Sequence, residues 1–331
     1  MKVRTYAIYV LLTTLGVFLC DASTKHNGIG PITDHFKHFL DENGYSMFDF
    51  PRADMSDFGS FGGKKQDSDK ITNYPVVFIH GNSDAALTAN SFSTGWTNTV
   101  NYFIKKGYNL TELYATSWGN TIVSQASYRK HDCKTVIRLR KFVEAVLAYT
   151  KADKINFITH SMGVTLGRKV IAGGKLDDLS ETCDVGSSLA SKVNVFLGLS
   201  GANFGLCSCA SSIVIPTCNV RNGFYPGDFC GPQNNALCGK SAYPPSCLSK
   251  TYSEYLMNLN QDSNKIADKT FSAWSQDDEL LGNKNYVWGN FTSLIVHSTG
   301  HKIYNGLTHM QTKENTSSDQ FLMITTGTIP K

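Results

Sequence analysis

The sequence lacks the features of a nucleic-acid-binding protein or of a protein with several membrane spans. Its 331 residues carry a net charge of +4, and the basic residues are spread along the chain rather than gathered in runs. Binding a nucleic-acid backbone requires a concentrated basic surface, so we predict no nucleic-acid partner. Beyond Cys20, no apolar stretch approaches the roughly 20 residues that a spanning helix needs.

Charged residues are also sparse, at 18% of the chain against 41% hydrophobic residues. This balance is ordinary for a globular protein and allows a core of useful size without structural metals. The length is sufficient for one large domain or two small ones.

The first residues have the composition of a segment that is removed on export. Lys2 and Arg4 precede an apolar run from Tyr6 to Cys20, and Cys20 and Ala22 supply small residues at a cleavage site. This order is typical of a secretory signal, so we predict a signal peptide at residues 1–22 and a secreted, extracellular protein. A retained membrane anchor is the alternative, but the apolar run is short for a spanning helix.

The cysteine count agrees with export. Once Cys20 is removed with the signal, eight cysteines remain, and an even number in an oxidising compartment indicates disulfide bonds. Their connectivity stays open, although the six from Cys207 onward are close enough in sequence to pair mostly among themselves. A zinc site at Cys207 and Cys209 is the less favoured alternative. The eight candidates are Cys133, Cys183, Cys207, Cys209, Cys218, Cys230, Cys238 and Cys247.

Three Asn-x-Ser/Thr triplets, which begin at Asn109, Asn290 and Asn315, are candidate glycosylation sites. In a secreted chain such a triplet accepts an N-linked glycan where it lies on the surface. Triplets of this kind also occur by chance, so each one alone is a weak signal.

Strand-like and helix-like segments alternate along most of the chain. This alternation predicts the α/β class, with a mostly parallel sheet flanked by helices. The predicted strands are 76–79, 113–116, 155–158, 193–199, 270–274 and 294–297, and the main predicted helices are 95–106, 136–149 and 164–171.

Composition divides the chain into three parts after the signal. Residues 23–74 form an N-terminal extension, with a short helix capped by Thr33 or Asp34 and a loop at 59–63. The main domain is predicted at 75–331. A Cys-rich insertion at 205–250 interrupts it and holds five of the nine prolines of the chain. We expect an irregular, disulfide-bonded segment at the edge of the sheet where the strands end.

The most informative stretch is Thr159-His160-Ser161-Met162-Gly163, between an apolar strand and a helix. A small-x-Ser-x-Gly turn in this position is a nucleophile elbow, which presents the serine hydroxyl above the sheet. A chance Ser-x-Gly is the alternative, but the strand–turn–helix context favours Ser161 as the nucleophile. Thr159 stands where glycine is usual.

A nucleophilic serine needs backbone donors for the oxyanion of the reaction intermediate. One donor is the N–H of the residue after the nucleophile, here Met162. The second comes from a loop that follows an earlier strand, and the N–H of Asn82 in His80-Gly81-Asn82 is our candidate. We interpret His80 as a residue that braces this loop and His160 as structural.

The acid and the base are expected in the chain order Ser, Asp or Glu, His. Asp278 is the first choice for the acid and Asp277 the second, although either could instead cap a helix. His309 is preferred as the base, with His297 and His301 as alternatives. The expected reaction passes through an acyl-enzyme that water releases, and it requires no metal or organic cofactor.

Together these motifs resemble the lipase class 2 family, from about residue 74 to residue 310. The matching stretches are 75–81, 159–163, 199–203 and the regions of Asp278 and His309. The resemblance implies an α/β-hydrolase fold and activity on carboxylic esters, often of fatty acids. It also favours Asp278, because family members place the acid three residues after an equivalent of Ser275. Their small bacterial members usually have alanine at the place of Thr159 and lack a counterpart of the insertion.

The sequence therefore predicts a secreted carboxylic ester hydrolase, with a triacylglycerol lipase as the favoured activity. Its expected partners are a lipid or ester substrate and a lipid–water interface, without a stable protein partner. An acyltransferase and a non-catalytic lipid-binding protein on the same scaffold remain alternatives. We also hypothesise that the insertion, with the segment 252–257 behind it, shapes acyl binding.

Overall fold

The computed structural model describes residues 28–210, 212–227, 252–287 and 289–331, and its central element is a seven-stranded sheet. The predicted signal peptide lies outside these residues. The strands are β1 (Ser60–Phe61), β2 (Val76–Ile79), β3 (Leu113–Thr116), β4 (Ile155–His160), β5 (Lys175–Asp177), β6 (Thr182–Asp184), β7 (Val193–Leu199), β8 (Lys269–Ser275), β9 (Tyr286–Val287), β10 (Asn290–Phe291) and β11 (Gly300–Tyr304).

The strand order of the sheet is β1-β3-β2-β4-β7-β8-β11, and β5–β6 and β9–β10 form two separate hairpins. All neighbours in the large sheet are parallel except β1, which is antiparallel to β3 at one edge. The prediction of a mostly parallel sheet is thus confirmed. Parallel strands bring their carboxyl ends to one edge, where the loops after β2, β4 and β8 meet.

Helices cover both faces of the sheet, which explains why β2, β3 and β4 are buried at every position. Side chains of α1, α3, α4 and α5 pack in the core of one face, and side chains of α2 and α7 pack in the core of the other. The helices are α1 (Asp34–Glu42), α2 (Thr97–Lys105), α3 (Cys133–Thr150), α4 (Met162–Ala172), α5 (Glu254–Gln261), α6 (His309–Glu314) and α7 (Ser317–Thr326).

Two local predictions were wrong. The apolar run at 294–297 lies in a turn rather than a strand, since the Ile295 N–H donates to Ser272 Oγ at 2.9 Å and His297 has a φ of 64°, outside the strand region. The last strand is β11 instead. In the predicted loop at 59–63, Ser60 and Phe61 pair with β3, because Phe61 is fully buried against Phe78 with ring centroids 5.7 Å apart.

The N-terminal extension is anchored to this sheet. Thr33 caps α1 by accepting a hydrogen bond from the Phe36 N–H, as predicted, and Phe36 and Leu40 are buried in the core. Residues before position 75 therefore contribute both a helix and an edge strand to the fold.

Disulfide bonds join Cys133 to Cys183 and Cys209 to Cys218, and Cys207 also forms a disulfide. The zinc alternative at Cys207 and Cys209 is therefore wrong, because neither sulfur is available as a thiolate ligand. The remaining candidates, Cys230, Cys238 and Cys247, lie outside the described residues.

The three candidate glycosylation sites lie on the surface of the protein. Asn109, Asn290 and Asn315 are all exposed, as a glycan acceptor must be, and their modification stays a prediction. In the part of the chain that the structure describes, we find no helix with the length and apolar character needed to cross a bilayer.

Candidate active site

Ser161 occupies a sharp turn between β4 and α4. Its φ of 56° and ψ of −128° lie in a region that residues with a side chain rarely adopt. The turn is fixed by the Ser161 N–H, which donates to the Leu199 carbonyl at 2.9 Å. A serine held in such a strained conformation is typical of a functional position.

Two glycines allow the elbow and the loop after β2 to touch. A Cβ on Gly163 would lie 2.3 Å from the Ile79 carbonyl oxygen and 2.5 Å from that of His80. A Cβ on Gly81 would lie 2.8 Å from Ser161 Cβ and 3.3 Å from its Oγ. The loop that carries Asn82 therefore packs directly against Ser161, at a distance that only glycine permits.

Thr159 fits the elbow although glycine is usual there. Its hydroxyl donates to the Leu197 carbonyl on β7 at 2.9 Å, and the residue is fully buried. Gly167 leaves room for the methyl group, since a Cβ there would be 3.1 Å from Thr159 Cγ2.

The two predicted oxyanion donors lie in the loop after β2 and at the start of α4. In the described part of the chain, neither the Asn82 N–H nor the Met162 N–H donates to a backbone carbonyl. The Asn82 side chain instead holds its own loop: Nδ2 donates to the Ala126 carbonyl at 2.9 Å, and Oδ1 accepts from Arg129 Nη1 at 2.7 Å. Sequence reasoning missed Arg129, which also donates to Ser83 Oγ at 2.6 Å.

His80 has the bracing contacts that the sequence analysis expected. Its Nε2 accepts from the Trp118 N–H at 3.0 Å, so the proton lies on Nδ1 and is donated to the Gly81 carbonyl at 2.7 Å. Burial lowers the pKa of His80 to about 4, which keeps the ring neutral. Its two nitrogens are both engaged, and the ring fixes the loop that precedes Asn82.

His309 and Asp278 form the central side-chain contact of the site. The His309 Nδ1–H donates to Asp278 Oδ2 at 2.8 Å, and each residue is only 3% exposed. Asp278 Oδ1 accepts from the N–H groups of Leu280 and Leu281 at 3.1 and 3.0 Å. Burial raises the pKa of Asp278, but the bond from His309 and the backbone donors outweigh it and hold the pKa below its usual value.

The neighbours of Asp278 bind the same loop at other points. Asp277 Oδ2 accepts from the Gly306 N–H at 2.6 Å, and Glu279 Oε2 accepts from the His309 N–H at 2.9 Å. The alternative acid, Asp277, therefore holds the loop and does not contact the His309 ring. Glu279 was missed by sequence reasoning, although three consecutive acidic residues after β8 were the available signal.

The alternative bases lie elsewhere. His297 and His301 are exposed, and the His301 ring stacks on Trp274 with centroids 5.4 Å apart. His160, next to Ser161, donates from Nε2 to the His309 carbonyl at 3.1 Å, and the two rings are 4.6 Å apart. Among the three candidate bases, His309 is thus the one in contact with the residue next to Ser161.

This arrangement of elbow, backbone donors and buried His–Asp contact can be compared with known proteins. The family model for Lipase (class 2) matches residues 73–322. The chain belongs to the class 2 lipase family. It is therefore an ester hydrolase of the α/β-hydrolase fold, and the family and fold predicted from the sequence are confirmed. No curated protein matches the chain.

Solved structures similar to this class 2 lipase include esterases and lipases. A carboxylesterase structure from Nitrososphaera gargenis is 13% identical, covers 80% of this chain and 92% of that chain, and has a TM-score of 0.43. Aspergillus fumigatus lipase B is 13% identical, with 77% and 52% covered and a TM-score of 0.45. Bacillus licheniformis lipase BlEst2 is 12% identical, with 80% and 96% covered and a TM-score of 0.43.

In this class 2 lipase the first part of the Cys-rich insertion, residues 205–227, is connected to α4, the helix that follows the elbow. His131 donates from Nδ1 to the Asn222 carbonyl at 2.8 Å, and its Nε2 lies 2.7 Å from Thr165 Oγ1 on α4. The His131 ring stacks on Tyr255 of α5 at 4.0 Å, and burial lowers the His131 pKa to about 4. The insertion and α4 are therefore connected through one neutral, buried imidazole.

Proposed function

We propose that this class 2 lipase is a secreted serine hydrolase that cleaves carboxylic esters, with triacylglycerols as its favoured substrates. The observation that carries the proposal is the buried 2.8 Å hydrogen bond between His309 and Asp278, beside a strained elbow at Ser161. Nucleophile, acid and base follow the chain order of this fold.

Each group has a defined part in the reaction. Asp278 holds the Nδ1–H of His309, which leaves Nε2 to take the proton of Ser161 as Oγ attacks the ester carbonyl carbon. The N–H groups of Asn82 and Met162 bind the oxyanion of the tetrahedral intermediate. His309 then protonates the departing alcohol, and an acyl-enzyme remains on Ser161. Water, deprotonated by His309, attacks the acyl carbon, and His309 returns this proton to Ser161 Oγ as the bond to the fatty acid breaks.

Exposed apolar side chains support a lipid substrate. Ile122 and Val123 are 47% and 55% exposed, on the segment whose Ala126 carbonyl binds the Asn82 side chain. Val214, at the described start of the insertion, is 90% exposed. Apolar side chains exposed close to an oxyanion loop favour contact with an acyl chain or a lipid–water interface.

Secretion is supported by the disulfide bonds together with the predicted signal peptide at residues 1–22. Exported, the protein would meet lipid esters outside the cell. The exposed Asn109, Asn290 and Asn315 are then open to glycosylation.

The deciding experiment is hydrolysis by the purified chain from residue 23 onward. Rates on p-nitrophenyl esters from acetate to palmitate and on emulsified triacylglycerols are compared between wild type and Ser161→Ala. We expect the variant to lose about three or more powers of ten in kcat, since removal of the nucleophile leaves only residual catalysis.

Ser318→Ala is the matched control, because Ser318 is exposed on α7 and takes no part in the site. It should retain the wild-type rate. Equal and negligible rates for wild type and Ser161→Ala on every ester would contradict the proposal and favour a lipid-binding protein. Transfer of the acyl group to an added alcohol in preference to water would favour an acyltransferase.

A further inference from the structure

An ion pair is buried between the loop that follows β2, residues 80–84, and α6, which begins at His309. This loop carries Asn82 and is called the oxyanion loop below. Lys313 Nζ lies 2.7 Å from Asp84 Oδ2, and the side chains are 1% and 3% exposed. The pair joins positions 229 residues apart in the sequence. Charged side chains are rarely buried to this degree, and the sequence analysis had not singled out either residue.

The donors of the lysine are all engaged. Besides Asp84, Lys313 Nζ donates to Thr94 Oγ1 at 3.1 Å and to the Gly95 carbonyl, and it lies 3.1 Å from Glu314 Oε1 and 5.4 Å from the centre of the Trp96 ring. An ammonium group has three protons, so the acceptors around Lys313 are sufficient to bind all of them.

The carboxylate of Asp84 also has hydrogen-bond partners at both oxygens. Asp84 Oδ1 accepts from the N–H groups of Ala85 and Gly95 at 2.9 and 2.8 Å and from Ser93 Oγ at 3.2 Å. Burial alone would raise the pKa of Asp84, but Lys313 and the other donors lower it to about 2. Asp84 therefore stays ionised, with its lost hydration replaced by hydrogen bonds.

Asp84 is attached to the segment that carries Asn82, and Lys313 is on the helix that carries His309. The Asp84 N–H donates to the Gly81 carbonyl at 3.3 Å, which closes a turn around Asn82. Lys313 is four residues after His309, one turn along α6, whose start is capped by Thr308. The ion pair thus connects the oxyanion donor at Asn82 with the base through two short, ordered segments.

We infer that Asp84 and Lys313 are a positioning pair, which sets the oxyanion loop at its distance from His309. The inference rests on the proposed function of the site. Oxyanion stabilisation depends on donors that are already in place when the charge develops, so a small displacement of the Asn82 N–H lowers kcat more than it changes KM.

A purely structural role makes a different prediction. Buried ion pairs often contribute little net stability compared with apolar residues of the same volume, whereas removal of one partner is strongly destabilising. If the pair only held the fold, a variant without either charge would fold and keep the wild-type kcat. The double variant Asp84→Asn/Lys313→Met therefore separates the two roles even if the single variants do not fold.

The test measures kcat and KM on p-nitrophenyl butyrate for wild type, Lys313→Met, Asp84→Asn and the double variant. Rates are divided by the concentration of active sites, taken from the burst of p-nitrophenol with diethyl p-nitrophenyl phosphate. We expect kcat per titrated site to fall at least about tenfold in the double variant and in each single variant that folds, with KM within about twofold of wild type.

Glu144→Gln is the control, because Glu144 pairs at 2.7 Å with the buried Arg140 on α3, away from the site. It should lower the unfolding midpoint without changing kcat per site. A double variant with the wild-type kcat per titrated site would overturn the inference. A wild type that shows neither turnover nor a burst would instead contradict the proposed function itself.

Discussion

In the candidate active site, the position of Ser161 is set by the shape of the backbone, whereas that of His309 is set by carboxylates. On the serine side, a φ of 56° and two glycines without room for a Cβ fix the turn. On the histidine side, three consecutive acidic residues bind one loop, through the Gly306 N–H, the His309 ring and the His309 N–H. One half therefore depends on side-chain volume and the other on charge and hydrogen bonding.

This difference predicts which kind of substitution lowers activity on the Ser161 side and which on the His309 side. A substitution that adds one methyl group should damage the elbow, and a substitution that conserves volume but removes charge should damage the base. The following variants test this contrast, in order of decreasing effect.

Asp278→Asn should have the largest effect on the histidine side. The amide keeps the volume of the carboxylate but does not stabilise the imidazolium or fix its tautomer, so we expect kcat to fall by about 10³ to 10⁴. Steady-state kinetics on p-nitrophenyl butyrate measure this loss. Asp277→Asn is the control, and a larger loss in that variant than in Asp278→Asn would show that the acid has been assigned to the wrong residue.

Gly163→Ala tests the serine side. The new methyl group meets two backbone oxygens at 2.3 and 2.5 Å, which cannot move without distorting β2, so we expect kcat to fall by about 10² or the soluble yield to collapse. Gly174→Ala is a useful comparison, since its Cβ would meet nothing within 4 Å although its φ is 71°. Because Gly163 lies in α4 and has no positive φ, an equal loss of kcat in both variants would mean that crowding at the elbow does not determine the result.

Glu279 allows a milder test of the histidine side. Glu279→Ala removes the acceptor of the His309 N–H, and we expect kcat to fall about tenfold, the equivalent of one lost hydrogen bond. Glu279→Gln keeps an amide oxygen at the same place and should restore most of the rate. Equal losses in the two variants would mean that the charge, and not the hydrogen bond, is what His309 requires.

The smallest expected effect is on stability at low pH. The folded pKa of Asp278 is below its usual 3.8, so its contribution to stability is present above about pH 4 and is lost as the pH falls through the folded pKa. In Asp278→Asn, the unfolding free energy should therefore fall less steeply between pH 5 and pH 3. Urea denaturation followed by tryptophan fluorescence measures the slope, and Ser161→Ala should keep the wild-type slope.

The sequence alone was sufficient to predict features that depend on residues close together in the chain. The strands β2, β3, β4 and β7 are mostly apolar, and the elbow is a five-residue pattern, so each was recognisable without knowledge of the fold. The last strand was misplaced because the apolar residues 294–296 lie outside the strands, whereas β11, Gly-His-Lys-Ile-Tyr, has no apolar run that would mark it as a strand.

Long-range side-chain contacts were not predictable in the same way. Arg129 is 47 residues from Asn82, and Lys313 is 229 residues from Asp84, and no spacing rule connects such positions. Asp278 was predictable because chain order and the family resemblance both restricted the choice. Glu279 required the structure, since its role depends on where the loop of His309 returns to β8.

The Cys133–Cys183 bond has a consequence for the protein after proteolysis. It closes a covalent ring with a sequence separation of 50, and the ring contains α3, β4, the elbow and α4. A protease that nicks the backbone once inside this ring opens it but releases neither end, because the disulfide still joins the two pieces. A chain that is cut beside Ser161 therefore remains covalently joined under oxidising conditions, and the two pieces can separate there only when that bond is reduced.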